Sequence, residues 1–295
     1  MVQQKTLFNR IVVLSIYGGL TIMAILCILP LVNVLALSFS STGAIQANKV
    51  TLWPVEFTWQ SYQFVAQKRD FIASIWVSVQ RVGLGIIVNM VLTVLVAYPL
   101  SKEVSQFRFR TWYVWIFVFT MLFSGGLVPS YIVVKELGLL DTMWALVLPG
   151  AVPIFNVILM LNFFRALPKE LMEAAFMDGA GHWKLLWRII VPLSLPSIAT
   201  VGLFTIVGHW NEWFQGIIYM NDPSNYPLAS YLQTVVIKLD LSKIRDVDDA
   251  LRMMKLDNRA VRAAQIFVGS LPIFLVYPFL QRFFMTGIVM GSIKE

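Results

Sequence analysis

Two polar clusters interrupt a chain that is otherwise largely apolar. The first is His209-Trp210-Asn211-Glu212-Trp213. Its imidazole and carboxylate stand three residues apart, so on a helix they share one face. Inside a membrane such a pair can relay a proton. The same residues can instead meet a solute, with amide and carboxylate groups for hydroxyls and indole faces for rings. A third reading is plain anchoring, with Trp210 and Trp213 at the lipid boundary and Glu212 in external water. The second cluster is "EAAFMDGAGHWKLLWRIIVPLSLP", from Glu173 to Pro196, which starts polar, turns through a glycine and ends in a proline-interrupted apolar run.

Neither cluster assembles a nucleophile with a base. The chain has no G-x-x-x-x-G-K-[ST] loop to cradle a nucleotide, no H-E-x-x-H and no G-x-S-x-G elbow. Its only histidines are His182 and His209, and its one cysteine, Cys27, lies in an apolar run as a small filler. A disulfide within the chain is excluded, and a metal site is not expected. The chain is therefore expected to catalyse nothing and to carry no cofactor of its own.

The elements that must position these clusters are membrane helices. Of 295 residues, 58% are hydrophobic and 13% charged, with a mean hydropathy of +0.73; soluble domains carry about 25% charged residues. The net charge of +7 reads as lysines and arginines on loops between spans, not as a nucleic-acid surface. A span needs about 20 mostly apolar residues. Charge-free runs of that kind are 11–38, 82–101, 111–134, 142–164, 189–211 and 263–281. The first is too long for a signal-peptide core and reads as a retained span. The expectation is an all-α membrane protein, a single transmembrane domain over 1–295 with six spans and both termini on one side. With the N-terminus inside, eleven lysines and arginines fall inside and twelve outside, so the total does not discriminate. The short, dense second inner loop favours this orientation.

Three hydrophilic stretches remain. Residues 39–70 form an outer loop whose Trp53 and Trp59 suit the interface. Residues 220–259 form a long outer loop, within which Asp246–Lys255 runs from acids to bases as a short helix would. Residues 169–188 lie inside. There Pro168 and Glu170 open a helix, Gly179 ends it in a left-handed turn, and a second helix begins near His182. Pro192 and Pro196 then bend the entry to the fifth span. Glu173, Ala174, Ala175, Asp178 and Gly179 would thus form an inner-face elbow suited to docking.

Glu173-Ala174-Ala175, Asp178-Gly179-Ala180 and, after a gap, Ile190 with Pro192-Leu193 and Pro196 resemble the EAA motif of the permease subunits of bacterial ABC importers. Ser124–Pro129, "LGLLDTMWALVLP" (Leu137–Pro149) and "YPFLQRFF" (Tyr277–Phe284) are similar to permeases for complex oligosaccharides and polysaccharides, alginate importers among them. The resemblance runs from about Leu92 to the C-terminus. It implies that 169–188 holds a coupling helix set in a cleft of a separate cytoplasmic ATPase. It implies a second permease, two ATPase subunits that hold the ATP and Mg, an external solute-binding protein, and residence in a bacterial inner membrane with both termini cytoplasmic. The segment Met220–Arg259 would face the binding protein or the solute, and the tail Met290–Glu295 would reach the ATPases.

A solute path needs polar groups on faces turned from lipid. Gly125 and Gly126 loosen the third span, Asn156 sits within the fourth, and Asn211, Glu212 and Trp213 close the fifth. Counted from a kink at Ser197, Glu212 lies about 22 Å along its helix, towards the outer mouth. The rival expectation is a self-sufficient secondary transporter or channel using Glu212 and His209.

Overall fold

The computed structural model describes residues 7–237 and 258–292. Every regular element among them is helical. In chain order they are α1 (Leu7–Ser38), α2 (Thr42–Gln46), α3 (Gln60–Gln67), α4 (Arg69–Ser101), α5 (Arg110–Leu122), α6 (Leu127–Glu136) and α7 (Ile154–Ala166). There follow α8 (Lys169–Met177), α9 (His182–Leu185), α10 (Val191–Leu193), α11 (Leu195–Asn211), α12 (Phe214–Tyr219), α13 (Leu228–Ile237) and α14 (Asn258–Ser292). The Asp246–Lys255 helix expected in the long outer loop lies outside the described residues, as do residues 293–295 of the tail.

The chain packs as two units, one of residues 1–69 with 235–270 and the other of 70–234 with 271–295. In the first, the apolar α1 is exposed along most of its length. Ser40 then fixes the chain reversal, its hydroxyl donating to the Ala36 carbonyl at 2.6 Å and accepting from the Val55 amide at 3.0 Å. Phe39, Phe57, Trp59 and Tyr62 close around one another with ring centroids 4.7–5.9 Å apart.

The second unit holds both polar clusters. Its core joins Val94, Ala97 and Leu100 of α4 to Val157, Met160, Leu161 and Phe164 of α7, with Leu185, Leu186 and Ile190 beyond the elbow and Val201 of α11. Burying such side chains contributes about 1.5–3 kcal/mol each where water is the reference.

Among the described residues, only α1, α4 and α14 contain an unbroken stretch long and apolar enough to cross a membrane; three further pairs qualify if each bent pair is one span. The third and fifth spans break where glycines and prolines were expected to loosen or bend them, and the fourth bends as well. The third bends by 111° between α5 and α6, the fourth by 51° before α7, and the fifth by 82° between the His182–Leu193 stretch and α11. Gly126 at φ +89 makes the first break, in a region an L side chain avoids. The fifth bends at Ser194, not Ser197, because Pro192 and Pro196 flank a residue that has left helical geometry. The second span also starts earlier than expected. Helix α4 begins at Arg69, so Arg81, which ended the charge-free run, lies inside it.

Candidate functional site: an inner elbow and a buried helix break

The elbow is built by one turn. The Gly179 amide donates to the Phe176 carbonyl at 3.0 Å and the Ala180 amide to that of Ala175 at 2.9 Å. This paired C-terminal cap requires a left-handed residue, and Gly179 supplies φ +74. Ala175 and Ala180 are buried together beneath it. Leu171, Glu173, Ala174, Met177, Asp178 and Gly179 are exposed, Met177 at 88%. Of the expected docking residues, four face outward and Ala175 belongs to the protein's own core.

What holds the elbow was not read from the sequence. The Tyr98 hydroxyl, on the last turns of α4, shares a 2.8 Å hydrogen bond with His182 Nδ1. Phe176 packs edge-on against the same imidazole, at 5.2 Å between centroids. Lys102 is buried, with its ammonium 4.5 Å from the centre of the Tyr98 ring and 3.5 Å from Met172 Sδ. Burial pushes the Lys102 amine below its ordinary value. On the surface Lys169 pairs with Glu103. The end of α4 is satisfied by arginines, with Arg165 donating to the Leu100 carbonyl at 3.2 Å and Arg110 to that of Lys102 at 3.1 Å.

The break at Glu212 is built differently. There α11 ends and α12 begins after Trp213. The Glu212 carboxylate accepts from the amides of Phe214 at 2.8 Å and Gln215 at 3.1 Å, capping α12. The Glu212 carbonyl, at the frayed end of α11, accepts from Arg81 at 2.8 Å, and the other arm of Arg81 donates to Gln215 Oε1 at 2.5 Å. Arg81 is only 1% exposed. A cation thus sits at one helix C-terminus and an anion at the next N-terminus, as the two helix dipoles favour. His209 Nε2 lies 3.2 Å from Asn89 Nδ2. A Cβ on Gly85 would stand 2.4 Å from that nitrogen, so the glycine makes room for the ring.

Asn211 and Trp213 are exposed beside this network and Gly125 and Gly126 are exposed at their own break, whereas Asn156 is buried and donates to Thr205 at 3.2 Å. His209 and Glu212 each bond other groups and not each other. Sequence reading missed Asn89 and Gln215. The available signal was a polar or small residue every fourth position along α4: Arg81, Gly85, Asn89, Thr93.

Comparison with known proteins decides what this framework is. Residues 71–290 match the model of a family described as binding-protein-dependent transport system inner membrane component. The chain belongs to that family. A relative from Bacillus subtilis (strain 168), named a polygalacturonan/rhamnogalacturonan transport system permease protein, YtcP, is 37% identical over 97% of this chain and 99% of its own. Protein LplC of the same organism is 40% identical over 90% of this chain and 89% of its own. The fold matches a chain in the crystal structure of a bacterial ABC transporter involved in import of the acidic polysaccharide alginate. That match has a TM-score of 0.87 and 28% identity, covering 96% of this chain and 100% of the other. Membership makes this chain a non-catalytic, multi-pass inner-membrane permease subunit that works with a binding protein.

Proposed function

We propose that the chain forms part of the membrane path of an ATP-driven importer for acidic oligosaccharides cut from polysaccharides such as polygalacturonan or alginate. The near-full-length likeness to a permease named for polygalacturonan and rhamnogalacturonan carries this reading, and the alginate importer's fold supports it. The permease pairs with a second permease, rests on two ATPase subunits and receives solute from the binding protein. It spans the membrane six times, each bent pair counting once, with both termini cytoplasmic. Helix α8 and its Gly179 turn are the coupling element. The exposed Leu171, Glu173, Ala174, Met177 and Asp178 enter the ATPase cleft, and Ala175 fixes the helix to the permease. Asn211, Glu212, Trp213, Gly125 and Gly126 border the solute path, with Asn156 bracing it from behind.

Closure of the ATPase pair on nucleotide draws the elbows together. That helps transport only if the docked elbow has different contacts in the two states. The self-sufficient transporter finds no support, because the Glu212 carboxylate is committed to backbone amides.

The test is reconstitution of the whole importer with Glu173→Lys. Membrane insertion is expected to persist while ATPase association, or ATP hydrolysis stimulated by short oligogalacturonates, is lost. Undiminished coupled uptake would overturn the docking role. Stimulation by neutral but not acidic oligosaccharides would overturn the solute class.

A further inference from the structure

We propose that α4 is the connecting rod of the permease, gripped at one end by the elbow and gripping the Glu212 break with the other. The inference rests on the coupling reading above and adds a route that reading does not contain. The obvious route follows the chain from α8 and α9 into α11. That route is interrupted. The chain leaves α-helical geometry for a wider π-type turn at Leu186–Ile190 and then bends by 82° at Ser194. Breaks of this kind are where a helix yields.

The lateral route is one continuous helix up to Tyr98, its single proline, Pro99, standing in the last turn just before Lys102, which follows the helix end. Tyr98 meets His182 on the far side of the elbow turn, and Lys102 meets Met172 on the near side, so both arms of the elbow are fastened to α4. Helix α4 then runs unbroken across Ala97, Thr93, Asn89 and Gly85 to Arg81, about 25 Å of helical rise from Tyr98. Arg81 holds the last carbonyl of α11 and, through Gln215, the first turn of α12. Asn89 holds His209 one turn earlier. Displacing the elbow therefore shifts a helix that holds the end of α11 and the start of α12, beside Ser230 of α13, which donates to the Trp213 carbonyl at 2.7 Å; this is where Asn211 and Trp213 are exposed.

The buried face of α4 also tolerates movement. Arg81 Nε, Asn89 Oδ1 and Thr93 Oγ1 have no protein partner. A shifted helix can engage them and offset bonds lost elsewhere. Tyr98 and Arg81 are thus positioning residues of transport, acting through α4 without touching ATP.

The experiment measures ATP hydrolysed per oligogalacturonate imported by the complete reconstituted importer. Tyr98→Phe keeps the ring and removes the His182 bond. Arg81→Lys keeps the charge and removes the two-armed grip. Each is expected to leave assembly and ATP hydrolysis near the parental level while uptake falls, raising ATP per sugar roughly three- to tenfold, the range one lost hydrogen bond sets. The double variant should exceed the worse single variant little, since both cut one rod. An unchanged ratio in Tyr98→Phe, a ratio that multiplies in the double variant, or uptake and hydrolysis falling in step would each overturn the rod. Glu173→Lys run alongside separates the two ideas: intact ATPase association there sinks the docking reading, whereas its loss with a parental ratio in Tyr98→Phe sinks only the rod.

Discussion

The elbow and the Glu212 break are both polar interruptions of apolar helices, and they solve opposite problems. At the elbow the charged groups of α8 point out, and the fixing is done beneath them by apolar burial, the Tyr98–His182 bond and the buried Lys102 beside α4. At the break a charged group points in, and one helix end is met by Arg81 from α4 while the next is capped by Glu212 of the break itself. Water can satisfy a surface turn, so the elbow can leave its outer surface free for a partner. Within a span there is less water to replace a lost bond, so the helix ends at the break are met by protein groups, with Arg81 Nε left without a protein partner. The contrast says where substitution should be costly.

The sharpest way to test that contrast is Arg81→Leu. It removes the donor to Glu212 and Gln215, leaving two half-buried acceptors unmatched, and it takes from the nearby Glu212 carboxylate its counter-charge. Breaking such a set costs about 3–5 kcal/mol. Thermal unfolding of the detergent-solubilised protein should show a large drop in midpoint. A midpoint within a degree or so of the parent would mean that the break satisfies itself without α4.

Much of this contrast was legible from residue types. Glycine before a histidine, after an acidic stretch and near an apolar run marked the elbow, and Gly179 took the left-handed turn that its position demanded. Apolar length marked the spans. The bends were partly legible: Gly125-Gly126 and Pro192 with Pro196 pointed to two of them, but their sharpness and the bend before α7 were not, because charge-free runs measure hydropathy and not direction. Arg81 misled for the opposite reason. A charge reads as the end of a span, yet here a neighbouring helix terminus supplies the acceptors that let it lie inside one. Tyr98 with His182 is a pairing across 84 residues, which spacing along the chain cannot reveal.

A second test compares two glycines. Gly85→Ala and Gly179→Ala add the same methyl group, but for different reasons it is unwelcome. At Gly85 the new Cβ stands 2.4 Å from His209 Nε2, so the imidazole must move and its Asn89 contact is lost. Overpacking of this kind costs about 1–3 kcal/mol. At Gly179 nothing lies within 4 Å, and only the φ of +74 is unfavourable. That costs about 1–2 kcal/mol. Unfolding midpoints should therefore fall in both, and Gly179→Asn, which tolerates the left-handed region, should recover most of its loss while Gly85→Asn recovers none. Equal recovery at both positions would erase the distinction between a glycine kept for space and one kept for backbone.

The smallest effect belongs to the Lys169–Glu103 pair, both of whose side chains are more than half exposed. The hydrogen bond from Lys169 holds the Glu103 carboxyl below its ordinary 4.5, and the same bond raises the Lys169 amine above 10.5. Because the folded value of Glu103 is depressed, its contribution is present above the ordinary glutamate value and is lost as pH falls through the lowered one. Because that of Lys169 is raised, its contribution is present below the ordinary lysine value and is lost as pH rises through the raised one. The pair therefore adds a flat increment across neutral pH that fades at both ends. Glu103→Gln should lower the unfolding midpoint slightly at neutral pH, with the difference closing in acid and vanishing in high salt, since exposed pairs are screened. Glu170 and Glu173, which also favour the charged Lys169, stay in place in that variant and blunt the effect further. A difference that persisted in strong salt would show that Glu103 is held as tightly as Arg81, and the division between an outward-facing elbow and an inward-facing break would not stand.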